Sequence, residues 1–271
     1  MTARRIILVA LFFTVFVTAF AASSPNAAAK KKRIAKKEVA ALGEAVLGAD
    51  EAAAQAAAKR LGEVSNRSAT AALTDALALG LAPNVALAAL GALEARADAT
   101  ALPTLEYYLK VRPKKLRVAS VRAAAATATP KGDALVTRAL DDHTREVRGT
   151  AATMVKERKI TSAATRLIEL LIAGSKPAAS ALAAIANAEI ALAVAETIGQ
   201  APHELVADSL GEMLLRESFG PDSLRVEVVR ALAKVPGGAG ALHLAAYVAA
   251  TPEKPPRKSR REAEALMRDN L

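Results

Sequence analysis

The chain has 271 residues, of which 52% are hydrophobic and 3% aromatic, with no Cys, no Trp and a formal net charge of +10. Without Cys it can form no disulfide, thiolate nucleophile, Cys-ligated metal site or lipid-modified Cys anchor. Abundant Ala favours helix, and the scarcity of aromatic and β-branched residues argues against sheet, so the composition predicts an all-α protein built as one large domain or a repeat array.

In chain order, Arg4 and Arg5 precede an uncharged apolar run at 6–20, and Ala19-Phe20-Ala21 fits a small-x-small cleavage rule. Residues 1–21 are therefore expected to be a secretory signal, cut after Ala21, that delivers the chain to the periplasm or the exterior. The alternative is an uncleaved anchor: the run is somewhat short for a span, but Lys30, Lys31, Lys32, Arg33, Lys36 and Lys37 follow it and would hold that side in the cytoplasm. Residues 22–33 read as a basic linker and 34–47 as an N-terminal capping helix.

From there to 251 the chain repeats. Residues 116–125 (LRVASVRAAA) and 224–233 (LRVEVVRALA) agree at seven of ten positions, and such self-similarity is the signature of a repeat architecture. Anchors at Ala53, Val85, Leu116, Val147 and Leu224 extend the register. Five residues on lie Ala58, Leu90, Val121, Ala152 and Val229, and eight on lie Leu61, Leu93, Ala124, Val155 and Leu232. Twenty on come Leu73, Leu105, Val136, Leu167 and Leu244, and twenty-four on Leu77, Leu109, Leu140, Leu171 and Val248. The first three offsets share one face of a helix and the last two share a face of a second. Asp98, Thr100 and Pro103 can open one second helix and Thr161 and Ser162 another, while Pro113, Pro130 and Gly132 mark further breaks. Between 178 and 221 the pattern weakens, because Pro202 falls on an offset that should be apolar; an irregular unit with a helix at about 202–218 is expected there. After Thr251, three prolines among charges suggest a linker, so 252–271 reads as a Pro/Arg-rich tail with a short helix from Ser259. Neither helix of a unit can bury its stripe alone, so the units must stack: the predicted architecture is an α-solenoid of helix–turn–helix repeats over 34–251.

The segment Asp142-His143-Thr144-Arg145-Glu146-Val147-Arg148, followed by small residues at 149–152, resembles the start of a HEAT-like repeat of the phycobilisome-lyase type. Asp98-Ala99-Thr100-Ala101-Leu102-Pro103 is similar to that family's second-helix opening. The resemblance covers roughly 50–250. It departs from the pattern where Ala53 and Leu224 replace the anchor Val, where no Asp opens the unit before Leu116, and where no Arg follows Ala178. It implies a HEAT-like fold in which Asp142, Arg117, Arg148 and Arg225 knit neighbouring repeats together. It specifies function hardly at all, since activity resides in sites rather than folds.

Charge is segregated along the fold. Residues 38–109 carry four basic and nine acidic residues, 110–176 fifteen and six, and 177–252 four and eight. The densest stretch is Lys110, Arg112, Lys114, Lys115, Arg117 and Arg122, with no acid between Glu106 and Asp133. These residues and Arg148 are the candidate contact for an acidic protein partner, since clustered charge concentrates an oppositely charged ligand. A solvated ridge, and self-association of acidic ends on the basic middle, account for the same pattern.

Catalytic constellations are missing from the sequence. His143 follows Asp141 and Asp142 but has no second His within two helical turns, so no metal site is expected. His203 stands at a helix start, and His243 beside Leu242 and Leu244 at a packing edge. Gly237-Gly238-Ala239-Gly240 lacks a preceding strand and a Walker Lys and reads as a turn. Tyr107 and Tyr108 are the only aromatic pair in the repeats, one of them expected to face the core, which is thin equipment for handling an extruded base; nucleic acid is not expected as a partner. No cofactor is expected. The leading reading is a non-enzymatic interaction scaffold in the bacterial envelope. The alternatives are a lyase-like enzyme and a structural protein whose basic ends contact anionic lipid or cell-wall carboxylates.

Overall fold

The computed structural model describes residues 34–255 and 257–269; the expected signal at 1–21 and the basic linker at 22–33 lie outside them. Among the described residues there is no β-strand, and no helix is long and apolar enough to cross a membrane. The helices are α1 (Lys36–Val46), α2 (Glu51–Glu63), α3 (Ser68–Leu79), α4 (Pro83–Arg96), α5 (Leu102–Tyr108), α6 (Lys114–Ala126), α7 (Pro130–Ala139), α8 (Arg145–Arg158), α9 (Ala164–Ile172), α10 (Lys176–Ile185), α11 (Ala188–Ala195), α12 (His203–Leu215), α13 (Asp222–Ala233), α14 (Ala239–Ala250) and α15 (Lys258–Asp269).

Two layers follow from the packing. The even-numbered helices α2 to α14 stack in sequence, each on the next, and the odd-numbered helices α1 to α15 form the second layer behind them. This is the α-solenoid of HEAT-like helix pairs that the periodicity predicts, with α1 closing the odd layer at its N-terminal end. Small residues let the even helices approach closely: a Cβ built on Gly62 of α2 would lie 3.0 Å from the Ala92 Cα of α4, and Ala54, Ala58, Ala86 and Ala89 are all buried. Leucines fill the space between layers, with Leu61, Leu73, Leu77, Leu90, Leu93 and Leu105 at most 2% exposed. Of the register positions, only Ala53 is exposed, and Leu109 and Val248 are half-buried; every other one is buried.

The register of the last anchor needs correcting. Leu224 was expected to open a first helix equivalent to that of Leu116, but α13 packs on α11 and α15 in the odd layer, whereas α6 lies in the even layer. Leu224 lies about three and a half thirty-one-residue units after Leu116, so the spacing itself puts it on a second helix, and the irregular unit between them hid that count. Earlier even helices start at Glu51, Pro83, Lys114, Arg145 and Lys176, thirty-one or thirty-two residues apart, but α12 starts at His203, only twenty-seven after Lys176. The unit is short because α11 is only 8 residues long and follows α10 after two connecting residues. The helix expected at 202–218 is α12, and it takes the even-layer place instead.

The C-terminal segment is also more integrated than a tail. Helix α15 packs along α13 and α14. Its N-terminus is capped from another helix: Asp222 of α13 accepts from the Lys258 N–H at 2.8 Å, the Ser259 N–H at 3.3 Å and the Ser259 hydroxyl. Ser259 is buried and 2.7 Å from the Tyr247 hydroxyl. The polar contacts of this segment are therefore satisfied by the last repeat itself. Gly240 marks the tightest approach, since a Cβ there would lie 1.9 Å from the Leu232 carbonyl oxygen.

Candidate functional site

The central band is built around the α5–α6 turn. Helix α5 ends at Tyr108, and the chain passes through Lys110 and Arg112 to Pro113, whose extended backbone starts α6 without a side-chain cap. Lys114 and Lys115 form the first turn of α6, and Arg122 lies two turns further along it. Lys110, Arg112, Lys114, Lys115 and Arg122 are all exposed. Three of them have acidic neighbours. Lys110 Nζ is 3.9 Å from Glu106, which also accepts from Arg138 at 2.9 Å. Lys114 Nζ is 2.7 Å from Glu146 of α8, and its hydrogen bond and charge hold the Glu146 carboxyl below its ordinary range. Arg122 Nε is 4.0 Å from Glu94 of α4, a carboxyl that burial pushes up. Arg112 and Lys115 make no ion pair among the described residues.

Arg117 does not belong to that exposed set. It is 2% exposed, and its guanidinium is fully used inside the fold. Nε bonds Asp142 Oδ2 at 2.7 Å and Nη2 bonds Asp142 Oδ1 at 3.1 Å and the Thr144 hydroxyl at 2.6 Å. Nη1 donates to the Val111 and Arg112 carbonyls at 2.9 and 2.7 Å. A side chain spent on five acceptors in the interior cannot meet a partner, so Arg117 is withdrawn as a contact residue. Arg148 is half-buried and donates through Nη1 to the Asp142 carbonyl at 2.8 Å; it too braces the turn. For Asp142, burial works to raise the carboxyl, but the bonds from Arg117 and the Thr144 N–H outweigh it and leave it below the ordinary value.

Arg117 is one instance of a recurring device. Arg225, also 2% exposed, donates to the carbonyls of Leu214, Arg216 and Glu217 at the end of α12. Arg96 reaches the Leu61, Val64 and Asn66 carbonyls after α2, and Arg216 the Ala183, Ala184 and Ala186 carbonyls after α10. The last carbonyls of a helix have no intrahelical donors, and a planar guanidinium can satisfy two or three at once. This explains why 116–125 and 224–233 look alike while sitting in opposite layers: both use an Arg in the first turn to tie down carbonyls of the connection from the preceding helix.

His143 is exposed, with Nδ1 3.6 Å from Asp142 and Nε2 3.2 Å from Arg117 Nη2. No group of three metal-ligating side chains occurs among the described residues. His243 of α14 bonds Asp208 of α12 at 3.1 Å and lies directly over Gly211, joining two even helices. Gly237 and Gly238 have positive φ and form the expected turn. Tyr108 is buried and donates to the Leu77 carbonyl at 3.0 Å, whereas Tyr107 stacks edge-on against it and is 68% exposed. Thr161 and Ser162 begin a short turn before α9 but supply no capping bond. At the C-terminus Arg260 is turned inward, donating to the Val248 and Thr251 carbonyls, so it is removed from the basic surface expected there. The sequence reading missed Arg145 and Lys176, exposed cations at the register of Lys114. Applying the 31-residue spacing to charged as well as apolar positions would have found them.

The fold and this band thus describe an α-solenoid with a partly neutralised basic middle. The sequence matches no protein-family model and no curated protein. Among solved structures, the chain is similar to one of the CpcE–CpcF complex of phycocyanin lyase from Nostoc sp. PCC7120, at 16% identity over 86% of this chain and 94% of that one, with a TM-score of 0.46. It is also similar to human deoxyhypusine hydroxylase in complex with glycerol, at 20% identity over 87% and 97%, TM-score 0.43. A designed armadillo repeat protein gives 16% identity over 85% and 98%, TM-score 0.38. Scores and identities this low carry nothing about activity; the fold assignment rests on the helix pairing itself.

Proposed function

We propose that this protein is a non-enzymatic scaffold of the bacterial envelope whose central repeats bind an acidic segment of a protein partner. The observation that carries the reading is the exposed basic stretch around the α5–α6 turn, where Arg112 and Lys115 stand without an ion pair among the described residues beside Lys110 and Lys114, which are partly neutralised by Glu106 and Glu146. Tyr107, 68% exposed next to this cluster, adds the kind of aromatic anchor that protein interfaces favour. The polar cluster of Arg117, Asp142 and His143 spends its bonds on bracing its own turn, which supports a binding role over a catalytic one. The envelope location rests on the export signal read at 1–21.

The test is fluorescence anisotropy with a fluorescein-labelled oligoglutamate peptide at low and physiological salt. Complementary surface charges act mainly on capture rate and salt dependence. The native chain is expected to bind and to lose affinity as salt rises, and an R112E/K115E variant with unchanged helical circular dichroism is expected to bind about tenfold more weakly. Equal binding by that variant refutes the assignment.

A further inference from the structure

Three successive even helices begin with an exposed cation at one register. Lys114 opens α6, Arg145 opens α8 and Lys176 opens α10, each thirty-one residues after the last. The helix starts lie side by side. Lys114 reaches Glu146 in the first turn of α8 at 2.7 Å, and a Cβ built on Gly149 of α8 would lie 3.8 Å from the Pro177 Cγ of α10. Lys114 is partly engaged by Glu146, but Lys115 stands beside it, and neither Arg145 nor Lys176 makes an ion pair among the described residues. No acid occurs between Glu169 and Glu189 to offset Lys176.

At two of the three starts, α6 and α10, the placement runs against what the helix needs for itself, whereas α8 carries Glu146 in its first turn beside Arg145. A helix start carries partial positive charge and favours an acidic residue, and α2, α12 and α13 follow that rule with Glu51, Glu204 and Asp222. At α6 and α10 the first turn holds Lys and no acid. Cations placed where they weaken the helix are explained by something outside the fold that they attract.

Resting on the reading of a basic band that takes an acidic partner, we propose that Lys114 with Lys115, Arg145 and Lys176 form a ladder for a single extended acidic peptide laid across α6, α8 and α10. Packed helices lie about 8–10 Å apart, and a chain extended as polyproline II rises about 3.1 Å per residue with about three residues per turn, so residues three apart share a face about 9 Å from each other. A carboxylate at every third residue therefore meets one rung after another. A row of this kind suits a peptide in one line better than a two-dimensional anionic surface.

The experiment uses the full chain and three labelled peptides of identical composition, each with four Glu among Ser and Gly. In one the glutamates fall at every third residue, in one at every second, and in one together. The every-third peptide is expected to bind about fivefold more tightly, the effect of two further surface ion pairs in register. R145E and K176E are expected to abolish that preference, and K234E, far along the chain, to leave it. Equal affinity for all three peptides, with weaker binding of each by R112E/K115E, would overturn the ladder and leave the acidic-partner reading standing. Preference retained in R145E and K176E also overturns the ladder. Failure of every peptide to bind at low salt overturns both.

Discussion

Replacing Arg117 by Met tests whether the buried guanidinium is a structural element. In the native fold its partner Asp142 has a side chain only 9% exposed. Without Arg117 that carboxylate keeps the Thr144 N–H at 2.7 Å and loses both charge-assisted bonds, while the Val111 and Arg112 carbonyls lose a donor. Removing one partner from a buried pair costs about 3–5 kcal/mol, mostly because the other charge is left uncompensated. A domain is stable by about 5–15 kcal/mol in all, so R117M should be severely weakened. The D142N exchange preserves an acceptor for Thr144 and removes the stranded charge. R117M/D142N is therefore expected to recover about 1.5–3 kcal/mol relative to R117M alone. Urea unfolding followed by helical circular dichroism gives the four corners of the cycle. Hydrogen exchange should localise the loss to α6–α8, since repeats are stabilised chiefly by their neighbours. The reasoning fails if R117M lies within about 0.5 kcal/mol of the native chain, as an ordinary surface substitution would, or if the double variant is no more stable than R117M.

Two further outcomes follow from the packing. Asp98, Asp142 and Asp222 each feel burial that would raise the carboxyl, yet hydrogen bonds, from Thr100 and Thr70, from Arg117 and Thr144, and from Ser259 and Lys258 respectively, bring them below the ordinary value of 3.8. A lowered folded value stabilises the native state above that ordinary value and the contribution disappears as pH falls through the folded values; the urea midpoint should stay level from pH about 7 to 5 and drop below about 4, and D142N should flatten that drop, an equally steep fall in the variant counting against the account. G240A should cost about 1–3 kcal/mol because the new methyl meets the Leu232 carbonyl oxygen of α13, whereas G91A, at an exposed position of α4 with nothing within 4 Å, should gain about 0.5–1 kcal/mol from lower backbone entropy; melting temperatures of the two variants check both signs.

Much of the fold was legible because a helix that buries one stripe must repeat apolar residues at fixed offsets. Leu61, Leu90, Val121 and Leu167 obey that demand regardless of what surrounds them. Helix α11 was missed because AEIALAVA is apolar nearly all round and so has no stripe to find. The layer of α13 was misread for a different reason. The match between 116–125 and 224–233 records a local task, an Arg reaching back to the connection that precedes its own helix, and that task is the same in either layer. Which layer a helix enters depends on its distance in whole units from the earlier ones, and Leu224 lies about three and a half thirty-one-residue units after Leu116, on a second helix rather than a first.

The same distinction governs the charge. A sum over 110–176 gives fifteen basic against six acidic residues, but a partner meets only the cations the fold has not used. Arg117 and Arg148 hold the Asp142 turn, Arg166 Nε lies 2.6 Å from Asp141, Arg158 lies 3.5 Å from Asp133, Lys156 donates to the Ser180 hydroxyl at 2.8 Å, and Lys159 caps the Ala184 carbonyl at 3.1 Å. Arginine predominates in this internal set because its planar donors satisfy several acceptors at once, while a lysine ammonium is more strongly hydrated and stays near water. What remains exposed with neither an ion pair nor a side-chain hydrogen bond among the described residues is Arg112, Lys115, Lys131, Arg145 and Lys176. Four of these five lie at or beside the starts of α6, α8 and α10, so removing the structural arginines from the count concentrates the basic band onto one edge of the even layer.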